Sequence, residues 1–504
     1  MARKISSRIK VSGTLIAETP IHVGGIGGNP QVDLALAVNG QGQYYIPGTS
    51  LAGAFRGWIE NPGQTNNVWG HQDKNNPNGH ASFIIVEDAV IKGINAEIRD
   101  GVGINRAWGT AADKAKYDRA ILPKGSKIPL HITLELPFKE SEKAEKYKEN
   151  FALLIESLKN GEIRLGAAKT RGLGKVKLSP NFSIRESNLS LRDGILQTLQ
   201  GKETTITDTF LSSNISSSQK RKLTFEINWQ PASPLMVKTE GNGVAVDILP
   251  LVSAIESSVT FVLPGSSIKG ALRFQAERII RTVCNSPIKE DSQKEDSKFM
   301  DQIEVPLVED LFGTRAKANK ETKKGIGSLF IDDCYANIPI TPSDWGNIEA
   351  ATNEKNLREA LDNARLQNVQ QAFHVAVDRW TGGAADGMLY SNLELMKIKW
   401  KPIYLTLDID RLHENKLFAI SLLLLCLRDL VDGRIPLGYG TNRGMGSIKV
   451  NSIVIKGDNL ESDLEKFTNV TLENGSLTDL DSGLLKTLND DWKDWTSQQN
   501  KAGN

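Results

Sequence analysis

The sequence predicts an α+β protein built from two tandem copies of one domain. The first observation is a phrase that occurs twice: "IPGTSLAGAFRG" (46–57) and "LPGSSIKGALRF" (263–274) share six of twelve positions. The second is a set of further matching phrases that keeps the same order in both halves. The third is that each half alternates strand-like segments with two helix-like segments.

The further matches extend the duplication over most of the chain. The offset between matched residues rises from 214 to about 272, which two insertions in the second copy explain. The matches are "TPIHVGGIGGNPQVDL" (19–34) with "SPLMVKTEGNGVAVDI" (233–248), "VEDAVI" (86–91) with "IDDCYA" (331–336), "NRAWGTAADKAKY" (105–117) with "DRWTGGAADGMLY" (378–390), and "GEIRLGAAKTRGLGKVKL" (161–178) with "GRIPLGYGTNRGMGSIKV" (433–450).

The alignment sets the predicted domain boundaries. The first domain covers 1–180 and the second covers 221–455, with insertions at about 284–324 and 337–370. The Ser/Thr-rich segment 181–220 is typical of a polar linker. The acidic tail, 456–504, is expected to be partly disordered, with its tryptophans as a docking element.

Within each copy the order of elements predicts a ferredoxin-like domain. An alternating strand ("SSRIKVSGTLIAETPI" or "RKLTFEINWQPASPL") precedes a glycine-containing loop and the repeated phrase. In that phrase apolar residues recur at helical spacing, and Thr49 or Ser50 is a candidate cap. More strands and a second helix ("EKYKENFALLIESLKN" or "LFAISLLLLCLRDLVDG") follow, which completes a β-α-β-β-α-β pattern.

Composition excludes several classes of protein. The 504 residues carry a formal net charge of +1, which argues against a protein that coats nucleic acid with positive charge but not against a local basic groove. Three widely spaced cysteines, Cys284, Cys334 and Cys426, suggest neither a disulfide framework nor a zinc site. The chain has no apolar run of membrane-spanning length and begins without an apolar signal core, so a cytoplasmic location is expected.

The repeated helix is a candidate contact for a polynucleotide backbone. Lys269 and Arg273 are four residues apart and therefore share a helix face, and small residues beside them would let a phosphate chain approach. The alternative is a surface ion pair. The first copy keeps Arg56 but has Ala52 where the second has Lys269.

An aspartate follows the glycine-containing loop in both copies, as Asp33 and Asp247. A carboxylate at the edge of such a loop can orient a nucleophile, transfer a proton or bind a divalent ion. The alternative is a turn contact. His22 is a candidate base, but its counterpart is Met236, which favours a role in an apolar pocket.

Two further repeated segments are candidate nucleic-acid contacts. The glycine loops around 169–175 and 443–447 let a backbone approach a phosphate closely, although an ordinary turn between strands is the favoured explanation. The segments around Trp108 and Trp380 predict projecting hairpins whose apolar side chains stack on bases; the alternative is an ordinary surface hairpin. Asn105 replaces Asp378 between the two copies.

Together these phrases resemble the RAMP (repeat-associated mysterious protein) superfamily, specifically the backbone subunits of type III CRISPR effector complexes. The matching text is "HVGGIGG…VD", "IPGTSLAGAFRG", "LPGSSIKGALRF", "LFGT", "VAVDRWTGGA", "RGLGKV" and "RGMGSI". The chain looks like a tandem fusion of two such subunits, similar to those of type III-D systems. The resemblance implies two modified RRM-like (ferredoxin-like) RAMP domains that bind a guide CRISPR RNA, beside other effector subunits and a complementary target RNA, with no membrane association.

The resemblance also implies roles for particular residues. The implied thumb hairpins fall near 102–122 and 375–395, with Arg106, Trp108, Arg379, Trp380 and Met388. Asp33 and Asp247 would cleave target RNA with a divalent metal, Mg²⁺ or Mn²⁺, which one or both would bind. The implied guide contacts are Ser50, Arg56, Lys169, Arg171, Gly172, Gly174, Ser267, Lys269, Arg273, Arg443, Gly444 and Gly446.

Three alternative functions remain open at this stage. The first is a non-catalytic scaffold for guide and target RNA. The second is a guide-processing endoribonuclease, for which His22 is the only loop histidine available as a base. The third is a nucleotide-binding enzyme, but the glycine loops lack the lysine and serine or threonine of a phosphate-binding loop.

Overall fold

The computed structural model describes residues 3–25, 32–59, 67–73, 76–138, 141–213, 220–239, 243–286, 288, 299, 302–314 and 325–502. The chain divides into two compact units. The first consists of Met1–Ile98, Arg119–Lys169 and Leu173–Gln219, and the second of Arg99–Asp118, Thr170–Gly172 and Lys220–Asn504. The second unit therefore contains two short pieces of the first repeat.

The first repeat and the residues after it form the elements up to residue 213. The strands are β1 (Ile5–Ala17), β2 (Tyr45–Ile46), β3 (His71–Asp73), β4 (Asn76–His80), β5 (Ile84–Val86), β6 (Ala89–Val90), β7 (Glu97–Ile104), β8 (Ala111–Ile121), β9 (Lys127–Pro137), β10 (Val176–Leu178), β11 (Ser183–Asn188) and β12 (Thr204–Thr205). The helices are α1 (Gly48–Ile59), α2 (Ser141–Lys159), α3 (Arg192–Leu199) and α4 (Thr207–Ser213).

The main sheet of the first unit has the strand order β12-β11-β1-β9-β5, with β10 also paired to β1. Its pairings are antiparallel. Helices α1 and α2 place Phe55 and Phe151 in one apolar cluster with Ile9 and Leu134 of the sheet. The chain order β1, α1, β5, β9, α2, β10 and the strand order together are ferredoxin-like, which confirms the predicted α+β class.

Residues 220–502 repeat this plan. The strands are β13 (Lys222–Pro231), β14 (Val252–Ile255), β15 (Ser258–Leu263), β16 (Leu329–Ile331), β17 (Cys334–Tyr335), β18 (Val369–Val377), β19 (Ala384–Leu395), β20 (Ile403–Asp408), β21 (Ile448–Asp458) and β22 (Val470–Glu473). The helices are α5 (Gly265–Val283), α6 (Val308–Phe312), α7 (Pro342–Glu349), α8 (Glu354–Asn363), α9 (Lys416–Val431) and α10 (Ser482–Ala502).

The main sheet of the second unit has the order β16-β20-β13-β21-β22. The order β13, α5, β16, β20, α9, β21 along the chain matches the first unit element by element. Phe225 of β13, Leu272 of α5 and Leu423 of α9 belong to one buried cluster. The two hairpins are β7–β8 and β18–β19; they begin at Glu97 and Val369, earlier than the predicted starts of 102 and 375.

The C-terminal tail is ordered, which corrects the prediction of partial disorder. Helix α10 packs on α9, and Leu484, Leu488 and Trp495 are buried in the cluster that holds the sheet of the second unit. These residues fall on one helix face, so the apolar spacing was present in the acidic sequence. Helix α9 is apolar on most sides because α10 covers it, and Trp495 packs inside the core.

The segment 181–220 is also not a plain linker. Strand β11 pairs with β1 over six residues, from Ser7 with Asn188 to Ser12 with Ser183, and α4 buries Phe210 beside Phe151. Ile184 and Ser187 of β11 are buried, so the strand is part of the folded unit and not a solvated linker. Residues 214–219 of this predicted linker lie outside the described residues.

The two predicted insertions differ in what they form. Residues 337–370 include α7 and α8, which pack around Trp345 in a cluster separate from the main core. Much of 284–324 lies outside the described residues, although Val308 and Phe312 of α6 join the main core. None of the helices in the described ranges is long and apolar enough to cross a membrane.

Candidate functional site

The two loop aspartates lie in equivalent local structures at the base of a hairpin. Asp33 and Asp247 are both exposed. The next residue forms a parallel bridge to the second strand of the hairpin: Leu34 to Arg119 in β8, and Ile248 to Asn392 in β19. Ala120 N donates to Leu34 O at 3.0 Å, so the chain after Asp33 is anchored to that strand.

The second aspartate is held by a serine of the hairpin. Ser391 donates to Asp247 Oδ2 from its backbone N at 2.7 Å and from its Oγ at 3.1 Å. Ser391 is buried, with 4% exposure. Both donors bind Oδ2 and fix the direction of the carboxylate, whose residue is exposed to solvent.

In the first repeat the alignment replaces this serine by a carboxylate. The segment 105–117 aligns with 378–390, so the next residue, Asp118, occupies the position of Ser391. The two repeats therefore differ at this position of the strand, which carries an acid in the first repeat and a hydroxyl donor in the second.

A divalent cation fits these aspartates only as an ion shared with a ligand. Among the described residues, no group of three or more His, Cys, Asp or Glu side chains could hold a metal ion. Mg²⁺ commonly uses one or two carboxylates together with water and substrate phosphates. Asp33 and Asp247, each an exposed carboxylate, suit that arrangement and not a preformed protein cage.

Four of the five predicted hairpin side chains are exposed, whereas Arg106 is half-buried because it pairs with the buried Glu277 of α5. Trp108 is 79% exposed and Trp380 is 96% exposed, and Met388 is 56% exposed on β19. The exchange of Asn105 for Asp378 conserves the turn, because each accepts backbone N–H groups of the tip: Ala107 and Trp108 in one case, Trp380 in the other.

Arginines of the two glycine loops occupy equivalent positions beside a hairpin tyrosine. Arg171 lies in a short 3-10 helix, Lys169–Arg171, and donates to Tyr117 Oη at 3.1 Å. Arg443, in the matching turn, donates to Tyr390 and to Tyr439 Oη. Both arginines are exposed, so a polyanion at the base of either hairpin would meet a positioned guanidinium.

The glycines of these loops serve the backbone first. Gly174 and Gly446 have φ angles of +90° and +84°, and a Cβ on either would lie 2.2 Å from the carbonyl oxygen of Leu165 or Leu437. Gly172 and Gly444 also have positive φ. The conformation of the turn is therefore enough to explain why glycine stands at these positions. Their use as phosphate contacts stays a prediction.

The structure corrects the expected role of the charged face on α5. Lys269 is 4% exposed, and its Nζ donates to Leu329 O at 2.7 Å. Burial lowers the pKa of Lys269 well below its ordinary value, with the charges of Arg171 and Arg273 adding to the effect. Arg273 donates to Glu277 and to the carbonyl oxygens of Gly313 and Ile303. Both residues brace the fold of the second unit and offer no open cationic surface.

The remaining predicted contacts of the repeated phrase are half-buried. Arg56, Ser50, Ser267 and Lys169 are neither fully exposed nor buried. The predicted cap of the first helix is wrong, because α1 begins at Gly48 and Ser50 lies inside the helix.

The residue at the start of each of these helices comes from a distant connection between two short strands. Gly48 N donates to Asp88 Oδ1 at 2.6 Å, and Gly265 N donates to Asp333 Oδ1 at 2.8 Å. The signal was the shared aspartate of "VEDAVI" and "IDDCYA", which the alignment brings to the same position. Nothing in either segment alone indicates that it lies against a helix start.

His22 lies in the interior of the first unit. It is 4% exposed, and its Nδ1 is 2.7 Å from Ala120 O, so this nitrogen carries the proton that it donates. Burial lowers the pKa of His22 below its ordinary value. A buried, neutral imidazole agrees with the expected apolar-pocket role.

Comparison with known families agrees with the geometry of the two repeats. A family model described as the RAMP superfamily matches residues 14–177 and 233–449. Proteins of this superfamily generally bind RNA within multi-subunit, CRISPR-associated complexes. No curated protein matches the chain. Because the two matched regions cover more than half of the sequence, one in each repeat, the chain belongs to the RAMP superfamily.

Proposed function

We propose that this protein is a guide-RNA-binding backbone subunit of a type III CRISPR ribonucleoprotein, and that Asp33 and Asp247 each direct one cut in a complementary target RNA. One observation carries the proposal: in both repeats an exposed aspartate immediately precedes a residue that bridges to the second strand of a hairpin. A duplicated turn contact would need no such hairpin beside it. Two equivalent sites in one chain support two cuts.

Recognition of the RNA would not depend on base identity. In RNA-guided effectors base pairing supplies sequence specificity, so the protein needs to contact only backbone and shape. Arg171 and Arg443 supply positioned charges for phosphate, and Trp108 and Trp380 supply apolar faces that stack on any base. A near-neutral chain is compatible with this, because the required charge is local.

In the proposed cleavage step, a target nucleotide is turned out of the guide–target duplex, so that its 2′-oxygen lines up with the adjacent phosphorus. The 2′-oxygen attacks the adjacent phosphorus in line, the bond from phosphorus to the 5′-oxygen breaks, and the products are a 2′,3′-cyclic phosphate and a 5′-hydroxyl. The 2′-hydroxyl loses one proton and the leaving 5′-oxygen gains one. The aspartate accepts the first proton or orients the 2′-hydroxyl. A divalent cation, Mg²⁺ or Mn²⁺, held by the same carboxylate and by phosphate oxygens, would neutralise charge on the phosphate.

Asparagine variants of the two aspartates test this assignment in the reconstituted complex. Asp33→Asn and Asp247→Asn keep the side-chain shape and remove the charge. Each should abolish one cut in a matched target RNA and leave the other, with losses of about 10²-fold or more at the affected site. The products are resolved on a denaturing gel with Mg²⁺ or Mn²⁺ present.

A matched control is available on the second hairpin. Asp378→Asn removes a carboxylate of the hairpin turn and installs the residue that the first repeat has at Asn105, so both cuts should persist. If both cuts survive in the Asp33→Asn/Asp247→Asn double variant, the catalytic assignment is wrong. Guide and target binding without any cut by the wild type would indicate a scaffold instead.

Guide processing is the weaker alternative. Its candidate base, His22, is buried at 4% exposure and has Met236 as its counterpart. Cleavage of a precursor repeat RNA by the isolated chain would support guide processing instead of target cleavage.

A further inference from the structure

In the second unit, the start of helix α5 is occupied by an arginine of the first hairpin. Arg99 Nη1 donates to Asp333 Oδ2 at 2.9 Å, and Arg99 Nη2 donates to Ser253 Oγ at 2.9 Å. The Asp333 side chain is 1% exposed, and its other oxygen accepts from Gly265 N. Asp333 thus joins the helix start to the hairpin in one buried pair.

A glycine of the first repeat closes the same position. A Cβ on Gly172 would lie 2.3 Å from Asp333 Oδ1, and a Cβ on Gly265 would lie 2.9 Å from Gly172 Cα. The two backbones therefore approach too closely for a side chain on either. We call the first residue of the helix together with its capping aspartate the socket: Gly265 with Asp333 here. We call the arginine and the glycine loop that lie against it, Arg99 and Gly172, the plug.

The first repeat has an equivalent socket without a plug. Gly48 N donates to Asp88 Oδ1 at 2.6 Å, as Gly265 N does to Asp333. Asp88 is exposed, and in the described part of the chain it has no cationic partner. Ile85, on the strand that leads to Asp88, is 49% exposed, whereas its counterpart Phe330 is half-buried.

The second repeat has the matching hairpin and glycine loop but not the arginine. A Cβ on Gly444, the counterpart of Gly172, would meet nothing within 4 Å. The hairpin β18–β19 exposes Arg379, the counterpart of Arg106. At the position of Arg99, however, the alignment places Ala372. A second copy of this chain would therefore bring no arginine to Asp88.

From these contacts we propose that the socket at Asp88 binds a hairpin of a different RAMP-type subunit, one that carries an arginine where this chain has Arg99. The carboxylate and the cation are complementary, and the occupied socket of the second unit shows the geometry of the pair. The inference rests on the proposed role as a backbone subunit and names the chemistry of one neighbour. Its consequence is a fixed polarity, because the chain accepts one hairpin at the first repeat and presents another from the second.

The test uses the complete complex, purified from cells that express this chain together with its neighbouring effector subunits. Asp88→Asn keeps an acceptor for Gly48 N and removes the charge, so α1 retains its cap. The matched control is Glu87→Gln, which removes an exposed charge one residue earlier. We expect the Asp88→Asn chain to retain about tenfold less of one neighbouring subunit at moderate salt, and the Glu87→Gln chain to retain it fully.

A photo-crosslinking residue in place of Ile85 identifies the partner in the same complex. A crosslink to an arginine-bearing hairpin of another subunit is the expected result. A crosslink to a second copy of this chain, a crosslink to RNA alone, or full subunit retention by the Asp88→Asn chain overturns the inference. Target cleavage is measured in parallel, because the two proposals can fail separately. If the complex cuts target RNA and the Asp88→Asn chain retains every neighbouring subunit, only the proposed binding at Asp88 is refuted. If the complex contains no guide RNA and the Asp88→Asn chain still loses the neighbouring subunit, only the proposed function is refuted.

Discussion

The two repeats share a sequence pattern but place it in different surroundings. Asp333 is buried beneath Arg99, whereas its counterpart Asp88 is exposed. Gly172 is pressed against that aspartate, whereas Gly444 meets nothing within 4 Å. The comparison teaches that one residue type at one position is a core element in one repeat and a surface element in the other.

The strongest test of this comparison is the pair Arg106 and Arg379. Arg106 Nε donates to Glu277 Oε2 at 2.5 Å, and the Glu277 side chain is 3% exposed, while Arg379 is exposed. Removing one partner of a buried ion pair leaves an uncompensated charge, so Arg106→Ala should destabilise the second unit by about 3–5 kcal/mol. Arg379→Ala should change the stability by less than about 0.5 kcal/mol.

Urea unfolding of the full chain, followed by tryptophan fluorescence, measures both variants. The residual pairing of Glu277 with Arg273, at 2.7 Å, places the Arg106→Ala effect toward the lower end of that range. Equal effects for the two variants would mean that the first hairpin is not docked in solution.

A smaller difference is expected between Gly172→Ala and Gly444→Ala. Both glycines have positive φ, which costs an alanine about 1–2 kcal/mol. At Gly172 the new methyl group would also collide with Asp333, which Arg99 and Gly265 hold in place, so a further overpacking cost of about 1–3 kcal/mol applies. The difference in unfolding free energy between the two variants measures the contact, and no difference would contradict it.

The catalytic comparison predicts an effect of about tenfold. The backbone N and the Oγ of Ser391 both donate to Asp247 Oδ2, and Ser391→Ala removes the Oγ donor while it keeps the backbone donor. The substitution also removes the Oγ that accepts from Asp247 N at 3.3 Å. A hydrogen bond to a charged group contributes about 1.5 kcal/mol or more, so the cut assigned to Asp247 should slow about tenfold while the cut assigned to Asp33 is unchanged.

The converse variant sharpens that result. Asp118→Ser gives the first repeat the serine of the second. It should change only the cut assigned to Asp33, measured as a single-turnover rate for each product. A change in both cuts, or in neither, would show that residues at this position do not act on the loop aspartate of their own repeat.

The sequence predicted the duplicated ferredoxin-like plan, the two hairpins and the loop aspartates, because each depends on local spacing that recurs in both halves. It failed where a distant strand decides the environment. The helical spacing of Lys269 and Arg273 was correct, but Leu329 O lies over the lysine and cannot be seen from helix spacing. The disorder predicted for the acidic tail was wrong because the few apolar residues on its helix face, Trp495 among them, are buried only through packing on α9.

The smallest predicted effect concerns His22 and its counterpart Met236, both buried. Burial lowers the pKa of His22 below 6.5, so the folded state favours the neutral imidazole. Its contribution to stability is therefore present above pH 6.5 and is lost as the pH falls toward the folded pKa, by at most about 1.4 kcal/mol per pH unit. Urea unfolding at pH 7.5 and 5.5 should show a smaller loss for His22→Met than for the wild type, and Met236→His should add an acid-sensitive loss to the second unit. An unchanged pH dependence in both variants would mean that burial does not lower the pKa of His22 inside the fold, and would contradict the neutral imidazole assigned to this pocket.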